Sequence, residues 1–423
     1  MRTLSLYQIE GGNRLIGTVP VNGAKNSALP IICAAALAAE GECILENIPS
    51  YTDILDLIEI LNALGAKAEF IGPSTLRVDG TKLSNHVAPY ERAARLRGST
   101  YIVGLLLARL GRAEVAVPGG CDIGARPVDF HLRGFEALGA RAWVEHGAMI
   151  AETPQGLQGN RFYVERRSHG TTCNLMIAAS LGLGTTVLDN AAQEPEIVDL
   201  ANLINAMGGR VRGAGTDTIR IEGVEKLRGI RHEVIPDRIE AGTFLLAAAA
   251  TGGRVTVGPV IPEHMRTLVA KLQAMGAKVD ADFDSITIDA PERLTAIDIQ
   301  TLPHPGFPTD LQPQIVAALC LADGVSVVEE TIFDNRFAYA NELMRLGAKI
   351  KIEHNTALVR GTNLLTGAPV SANDIRGGAA LVIAGLASQG RTEVAGVRHV
   401  ERGYEHLVEK LGALGAEIRV VDE

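Results

Sequence analysis

A short motif returns six times along this chain of 423 residues. It reads Ala-Leu-Gly-Ala-Lys around Gly65, Ala-Leu-Gly-Ala-Arg around Gly139, Ala-Met-Gly-Gly-Arg around Gly208, Ala-Met-Gly-Ala-Lys around Gly276, Arg-Leu-Gly-Ala-Lys around Gly347 and Ala-Leu-Gly-Ala-Glu around Gly415. The spacing is about 70 residues throughout, the mark of an internal repeat. Each glycine closes an amphipathic stretch such as Asp-Leu-Ile-Glu-Ile-Leu-Asn-Ala-Leu-Gly, so it reads as the residue just past a helix C-terminus. An alternating strand follows, for example Lys-Ile-Lys-Ile-Glu. Upstream of each such helix lies a second one, rich in alanine and leucine and apolar nearly all round, which places it in the interior of its domain. The unit is therefore helix, strand, helix and then strands, with the sheet covering paired helices. Six copies divide into three and three, with the junction near Gly229 to Pro236. The strand-like opening, Leu4 to Ile9, precedes the first buried helix and is expected to complete the sheet of the second half, leaving two connecting strands and a hinge. The expected domains are residues 25–232, and residues 1–24 with 233–423.

Composition narrows the function classes. At 47% hydrophobic residues and with no low-complexity run, the chain is long enough for two cores. Cys33, Cys43, Cys121, Cys173 and Cys320 show neither CxxC pairing nor metal-ligand spacing, which points to reduced thiols in a cytoplasmic compartment and to no structural metal. The amino terminus has no apolar signal core, and no apolar run reaches the roughly 18 residues of a membrane helix. A formal net charge of −9 and an aromatic content of 4% argue against nucleic acid as a partner.

The polar departures from the repeat gather at helix entrances. Before the buried helices stand Lys25-Asn26, Arg97-Gly98-Ser99, Arg166-Arg167-Ser168, Asp237-Arg238, Asp310, and Asp374 with Arg376. Before the outer helices stand Cys121 with Arg126, Glu194 with Glu196, Phe333 with Arg336, and His399 with Arg402-Gly403-Tyr404. Helix N-termini offer free amide donors to anions, and arginine adds bidentate recognition of carboxylate or phosphate. The thiol of Cys121 follows a glycine pair and precedes Arg126, a setting suited to chemistry, since a nearby cation favours the thiolate. Plainer readings remain open at this point. Asp310 and Asp374 fit helix N-caps worth about 1 kcal/mol each. Arg97 and Arg402 fit solvated surface charges. His131 fits packing or a hydrogen bond better than metal ligation, because no second histidine stands at helical spacing.

Several of these segments are long enough to carry a specific resemblance. Gly-Ala-Lys25-Asn26-Ser-Ala-Leu-Pro, Pro-Gly-Gly-Cys121-Asp-Ile-Gly-Ala-Arg126-Pro-Val-Asp129-Phe-His131, Glu194-Pro-Glu196-Ile-Val-Asp, Pro-Asp237-Arg238-Ile-Glu-Ala-Gly-Thr, Phe-Pro-Thr-Asp310-Leu-Gln, Phe333-Asp-Asn-Arg336-Phe and Arg402-Gly-Tyr-Glu resemble, end to end and in order, the UDP-N-acetylglucosamine enolpyruvyl transferases. The resemblance implies an α/β fold of two inside-out barrels, each built from three βαβαββ repeats with helices buried under sheets. It implies transfer of the enolpyruvyl group of phosphoenolpyruvate to the 3-hydroxyl of UDP-N-acetylglucosamine, the opening step of peptidoglycan synthesis, without metal or organic cofactor.

The same resemblance implies roles. Cys121 is expected to protonate the methylene carbon of phosphoenolpyruvate, to form an adduct with it, and to be alkylated by the epoxide fosfomycin. Asp310 is expected to accept the proton of the sugar hydroxyl. Lys25, Arg97, Arg126 and Arg402 are expected around the phosphate and carboxylate of phosphoenolpyruvate, and Asn26 with Asp310 at the sugar. Arg126, Pro127, Val128, Asp129, Phe130 and His131, with Arg166, Ser168 and Gly170, are expected to hold uridine and diphosphate. Ile332, Phe333, Arg336, Asp374 and Arg376 complete the expected substrate-binding set. These residues come from both halves, so the expectation is ordered binding with the sugar nucleotide first, followed by closure. Two departures stand out: Arg166 replaces an expected lysine, and Gly377-Gly378 follow Arg376 where relatives carry Ala-Ser or Ala-Gly. The alternatives are 5-enolpyruvylshikimate-3-phosphate synthase, which shares fold and chemistry, and a nonenzymatic paralogue that binds the sugar nucleotide. The oligomeric state is left open.

Overall fold

The computed structural model describes residues 5–119 and 128–422. Cys121, Arg126 and Pro127 lie outside the described residues. All six repeat glycines, Gly65, Gly139, Gly208, Gly276, Gly347 and Gly415, take positive φ between 85° and 101°. A Cβ is strained in that conformation, which explains why glycine returns at each helix end. The helices they close are Thr52–Ala63, Asp129–Ala137, Pro195–Ala206, Arg266–Ala274, Ala340–Arg345 and Leu407–Ala413. A second device recurs in two copies. Asn62 receives the N–H of Ala68 at 2.7 Å and donates to its carbonyl at 3.0 Å, and Asn205 does the same with Val211 at 2.7 and 2.9 Å, so each side chain ties a helix to the strand after it.

The described residues form two compact units, one of residues 23–119 with 128–235, the other of residues 5–22 with 236–422. In the first unit the interior helices are Lys25–Ala35, Thr100–Leu110 and His169–Ala179; in the second they are Arg238–Ala250, Gln312–Leu319 and Ile375–Ala387. Their apolar character carries the burial: in Ile375–Ala387 every residue from Arg376 to Leu386 is buried. Arg109 fixes the end of the first interior helix by donating to the carbonyls of Ala36, Leu37 and Ala38 at 3.2, 3.1 and 2.9 Å.

The third repeat shows the plan. Strand Arg161–Tyr163 runs parallel to Thr185–Asp189 across the interior helix, and the hairpin Arg210–Arg212 with Thr218–Glu222 extends the sheet antiparallel. This is the βαβαββ order, and the sheets are open ribbons rather than closed barrels. Among the described residues the second repeat departs from it, with a three-stranded sheet and an isolated parallel bridge, Val87 to Glu114, in the fourth place. The amino-terminal segment gives two strands to the second unit, where the sequence suggested one. Ser5–Glu10 lies between Arg391–Ala395 and Glu417–Asp422, and Ile16–Pro20 pairs parallel with Arg254–Gly258. Among the described residues no helix is long and apolar enough to cross a membrane.

One buried ion pair supports the second unit. Glu240, fully buried on an interior helix, meets Lys410 Nζ at 2.7 Å, and its other oxygen accepts the N–H of Asn22 at 2.7 Å. Burial pushes its carboxyl up to about 7, against the lowering effect of Lys410. Glu240→Gln leaves the Lys410 charge buried without its counter-ion, and a loss of about 3–5 kcal/mol is expected from urea unfolding. Glu240→Met combined with Lys410→Met is expected to recover most of it; a single variant as stable as wild type contradicts this account.

Candidate functional site

In the first unit the site elements begin at Gly23. A Cβ there would stand 1.7 Å from the carbonyl oxygen of Asn47, so only glycine lets the chain pass before the helix starts at Lys25. Lys25 Nζ pairs with Asp53 Oδ2 at 2.7 Å, and both side chains are only 6% exposed. Asp53 sits in the first turn of the helix Thr52–Ala63, so two helix starts from the first repeat meet through one ion pair. Arg97 occupies the single turn Arg97–Ser99 that leads into Thr100–Leu110 and is half-buried, not a solvated surface charge.

Among the described residues, those expected at the uridine and diphosphate are grouped around two helix entrances. Val128 is the N-cap position of Asp129–Ala137, followed by the half-buried Asp129 and Phe130 and by the buried His131. His131 Nδ1 lies 2.9 Å from the amide nitrogen of Asn174. Burial, opposed by Asp129, lowers the imidazole to about 4, so the ring is neutral and accepts from that amide. Ser168 caps the helix His169–Ala179 by accepting the N–H of Thr171 at 3.2 Å. A Cβ on Gly170 would meet the His131 ring at 3.6 Å, which places the two entrances side by side. Arg166 is exposed just ahead of this cap.

In the second unit a dense polar cluster surrounds Asp310. This aspartate lies in the turn Thr309–Leu311 before Gln312–Leu319, where Pro308 and not Asp310 holds the N-cap position. Instead Oδ1 meets Arg336 Nη2 at 3.3 Å and Oδ2 meets Arg376 Nη2 at 3.2 Å. Asp374 does act as a cap: its Oδ1 accepts the N–H groups of Arg376 and Gly377 at 2.9 and 3.0 Å. The two aspartates that looked alike in sequence are thus separated by their partners. Arg336 is anchored by the Thr309 carbonyl, at 3.2 Å from Nε and 2.8 Å from Nη2, and its Cζ lies 5.7 Å from the centre of the Phe333 ring. Arg376 is buried with its Cζ 5.4 Å from the centre of the Tyr404 ring. Burial opposes its charge, yet Tyr404, Asp310 and Asp237 outweigh that and hold the guanidinium above its usual range.

Sequence reading missed the groups that stiffen this cluster. Gln314 donates from Nε2 to the Asp310 carbonyl at 3.0 Å and reaches Tyr404 Oη at 3.1 Å. Glu330, 2% exposed, receives the N–H groups of Ile332 and Phe333 at 2.8 and 3.1 Å and the hydroxyl of Thr309 at 3.1 Å, so it joins the Ile332 loop to the Asp310 turn. Its signal was faint: a second glutamate where the strand alternation ends. Arg402 is half-buried between Val397–Val400 and Leu407–Ala413. The structure therefore gathers Asp310, Ile332, Phe333, Arg336, Asp374 and Arg376 in one neighbourhood. Among the described residues no cluster of histidine, cysteine, aspartate or glutamate is arranged to hold a metal ion.

Comparisons with known proteins agree along the whole length. The family described as EPSP synthase (3-phosphoshikimate 1-carboxyvinyltransferase) matches residues 9–411. A UDP-N-acetylglucosamine 1-carboxyvinyltransferase 2 of Symbiobacterium thermophilum is 62% identical over 98% of both chains. Another, from Staphylococcus saprophyticus, is 49% identical over 98% of this chain and 99% of its own. Among solved structures, the enolpyruvyl transferase NikO from Streptomyces tendae superposes with a TM-score of 0.90 at 26% identity, covering both chains fully. An EPSP synthase from Acinetobacter baumannii, at 19% identity and a TM-score of 0.77 over 99% of this chain and all of its own, shares the fold. On these matches the chain belongs to the enolpyruvyl transferase family, alongside the UDP-N-acetylglucosamine 1-carboxyvinyltransferases.

Proposed function

We propose that this protein transfers the enolpyruvyl group of phosphoenolpyruvate to the 3-hydroxyl of UDP-N-acetylglucosamine, releasing phosphate and supplying peptidoglycan synthesis in the cytoplasm. The observation that carries the mechanism is the Asp310 carboxylate, fixed between two buried guanidiniums. An ionised carboxylate accepts hydrogen bonds at both oxygens and can take up a hydroxyl proton. Arg336 and Arg376 hold its orientation, and the Glu330 tie keeps the Ile332 loop beside it.

The steps balance as an addition followed by an elimination. Cys121 gives a proton to the methylene carbon of phosphoenolpyruvate, and positive charge builds on the adjacent carbon. The sugar 3-oxygen forms a bond to that carbon while its proton passes to Asp310. The methyl group then returns a proton to the Cys121 thiolate, the carbon–oxygen bond to phosphate breaks with its electron pair leaving on the phosphate, and the enolpyruvyl ether remains. In this reading Lys25, held in place by Asp53, is a point cation for phosphate, joined by Arg97, Arg126 and Arg402. Asn26 meets the sugar. Arg126, Pro127, Val128, Asp129, Phe130, His131, Arg166, Ser168 and Gly170 meet the uridine diphosphate, His131 as a neutral ring. The 62% identity to a carboxyvinyltransferase acting on UDP-N-acetylglucosamine supports this acceptor over shikimate 3-phosphate. The direct test is phosphate release from phosphoenolpyruvate with each acceptor in turn.

A further inference from the structure

Asp199 sits where an amphipathic helix should present a hydrocarbon. It lies on Pro195–Ala206 among the buried Ile197, Leu200, Leu203 and Ile204 and is itself 3% exposed. A carboxylate in such a place is costly unless donors surround it. Three do. Ser27 Oγ donates to Oδ2 at 2.5 Å, the N–H of Ile235 reaches the same oxygen at 3.3 Å, and His232 Nε2 stands 2.8 Å from Oδ1.

Each donor comes from a different part of the first unit. Ser27 is the third residue of Lys25–Ala35, directly after Lys25 and Asn26, and that helix has no side-chain N-cap of its own. His232 lies in the strand Arg231–Glu233, which returns to pair parallel with Cys43–Glu46 of the first repeat. Ile235 is the last residue of the unit before the chain leaves it. A single carboxylate from the third repeat thereby fixes the first turn of the first interior helix and the strand that closes the unit.

We infer that Asp199 is a positioning residue for Lys25 and Asn26, acting through Ser27. The inference rests on the reading that Lys25 meets the anionic substrate. The hydroxyl-to-carboxylate bond sets the rotation of the first helical turn, and so the place of the Lys25 ammonium, whose bond to Asp53 tolerates little drift. A displacement of about 1 Å at a catalytic centre can cost on the order of 10²-fold in rate.

The test is steady-state phosphate release by the full-length enzyme with Ser27→Ala, Ser27→Thr, Asp199→Asn and the Ala/Asn double variant. Ser27→Ala is expected to lower kcat/KM for phosphoenolpyruvate by about tenfold or more, and Ser27→Thr, which restores the hydroxyl, to recover to within about twofold. The double variant is expected to lose little more than the larger single loss, because both changes remove one link. Should Asp199→Asn fail to fold, Ser27→Ala and its threonine rescue decide alone. An active wild type with Ser27→Ala equal to it, or with threonine no better than alanine, overturns the positioning role while leaving the proposed function standing. A wild type that releases no phosphate with either acceptor overturns both.

Discussion

Asparagine at Asp310 is expected to cut kcat by about 10²–10⁴-fold, the usual contribution of a positioned proton acceptor. The substitution keeps the shape and one carbonyl oxygen but removes the charge and the ability to take a proton. The fold should tolerate it. Arg336 keeps two bonds to the Thr309 carbonyl and has Asp374 Oδ1 at 4.0 Å, and Arg376 keeps the Tyr404 ring and the favourable charge of Asp237. The urea midpoint should therefore move little while turnover collapses. A variant with wild-type turnover reduces Asp310 to an anchor for two arginines, and one that loses stability and turnover in proportion makes the loss structural.

Serine at Cys121 is expected to abolish turnover, whereas aspartate keeps part of it. The required step is protonation of carbon, which an acid of pKa about 4 or about 8.5 can perform and a serine hydroxyl cannot at neutral pH. The other four cysteines give this prediction a sharp control. Cys33, Cys43, Cys173 and Cys320 are buried, and burial pushes their thiols up, Cys320 to about 12. A small epoxide such as fosfomycin should thus add once, at Cys121, and the aspartate variant should resist it. Peptide mass mapping that finds the adduct on any buried cysteine, or full activity in Cys121→Ser, contradicts the assignment.

Much of the architecture was legible because it is written locally and repeatedly. A glycine at φ near 90° has no substitute, so the six helix ends showed in the sequence, and the apolar girdle of helices such as Ile375–Ala387 placed them inside. The strand Ile16–Pro20 was not foreseen, since its partner Arg254–Gly258 lies far along the chain and its own residues are mostly exposed. The candidate site divides in the same way. Lys25, Asp310, Arg336 and Arg376 announced themselves as charges at helix starts that a plain repeat does not need. Asp53, Glu240 and Glu330 did not, because an acid in a first helical turn or near a strand end reads as a cap, and Asp199 did not, because a lone acid further along a helix reads as its polar face; only the distant partners show otherwise. Asp310 and Asp374 make the point most clearly: the same residue type at equivalent entrances, one facing two arginines and the other capping its helix.

Transfer of enolpyruvate to a sugar nucleotide is the reaction proposed for this chain. It is tested most directly by following phosphate release from phosphoenolpyruvate with UDP-N-acetylglucosamine, with shikimate 3-phosphate and with neither, alongside mass detection of the product. Release is expected only with UDP-N-acetylglucosamine, in step with a product heavier by one enolpyruvyl group, and not from either other mixture. Release with shikimate 3-phosphate and none with the sugar nucleotide would contradict it.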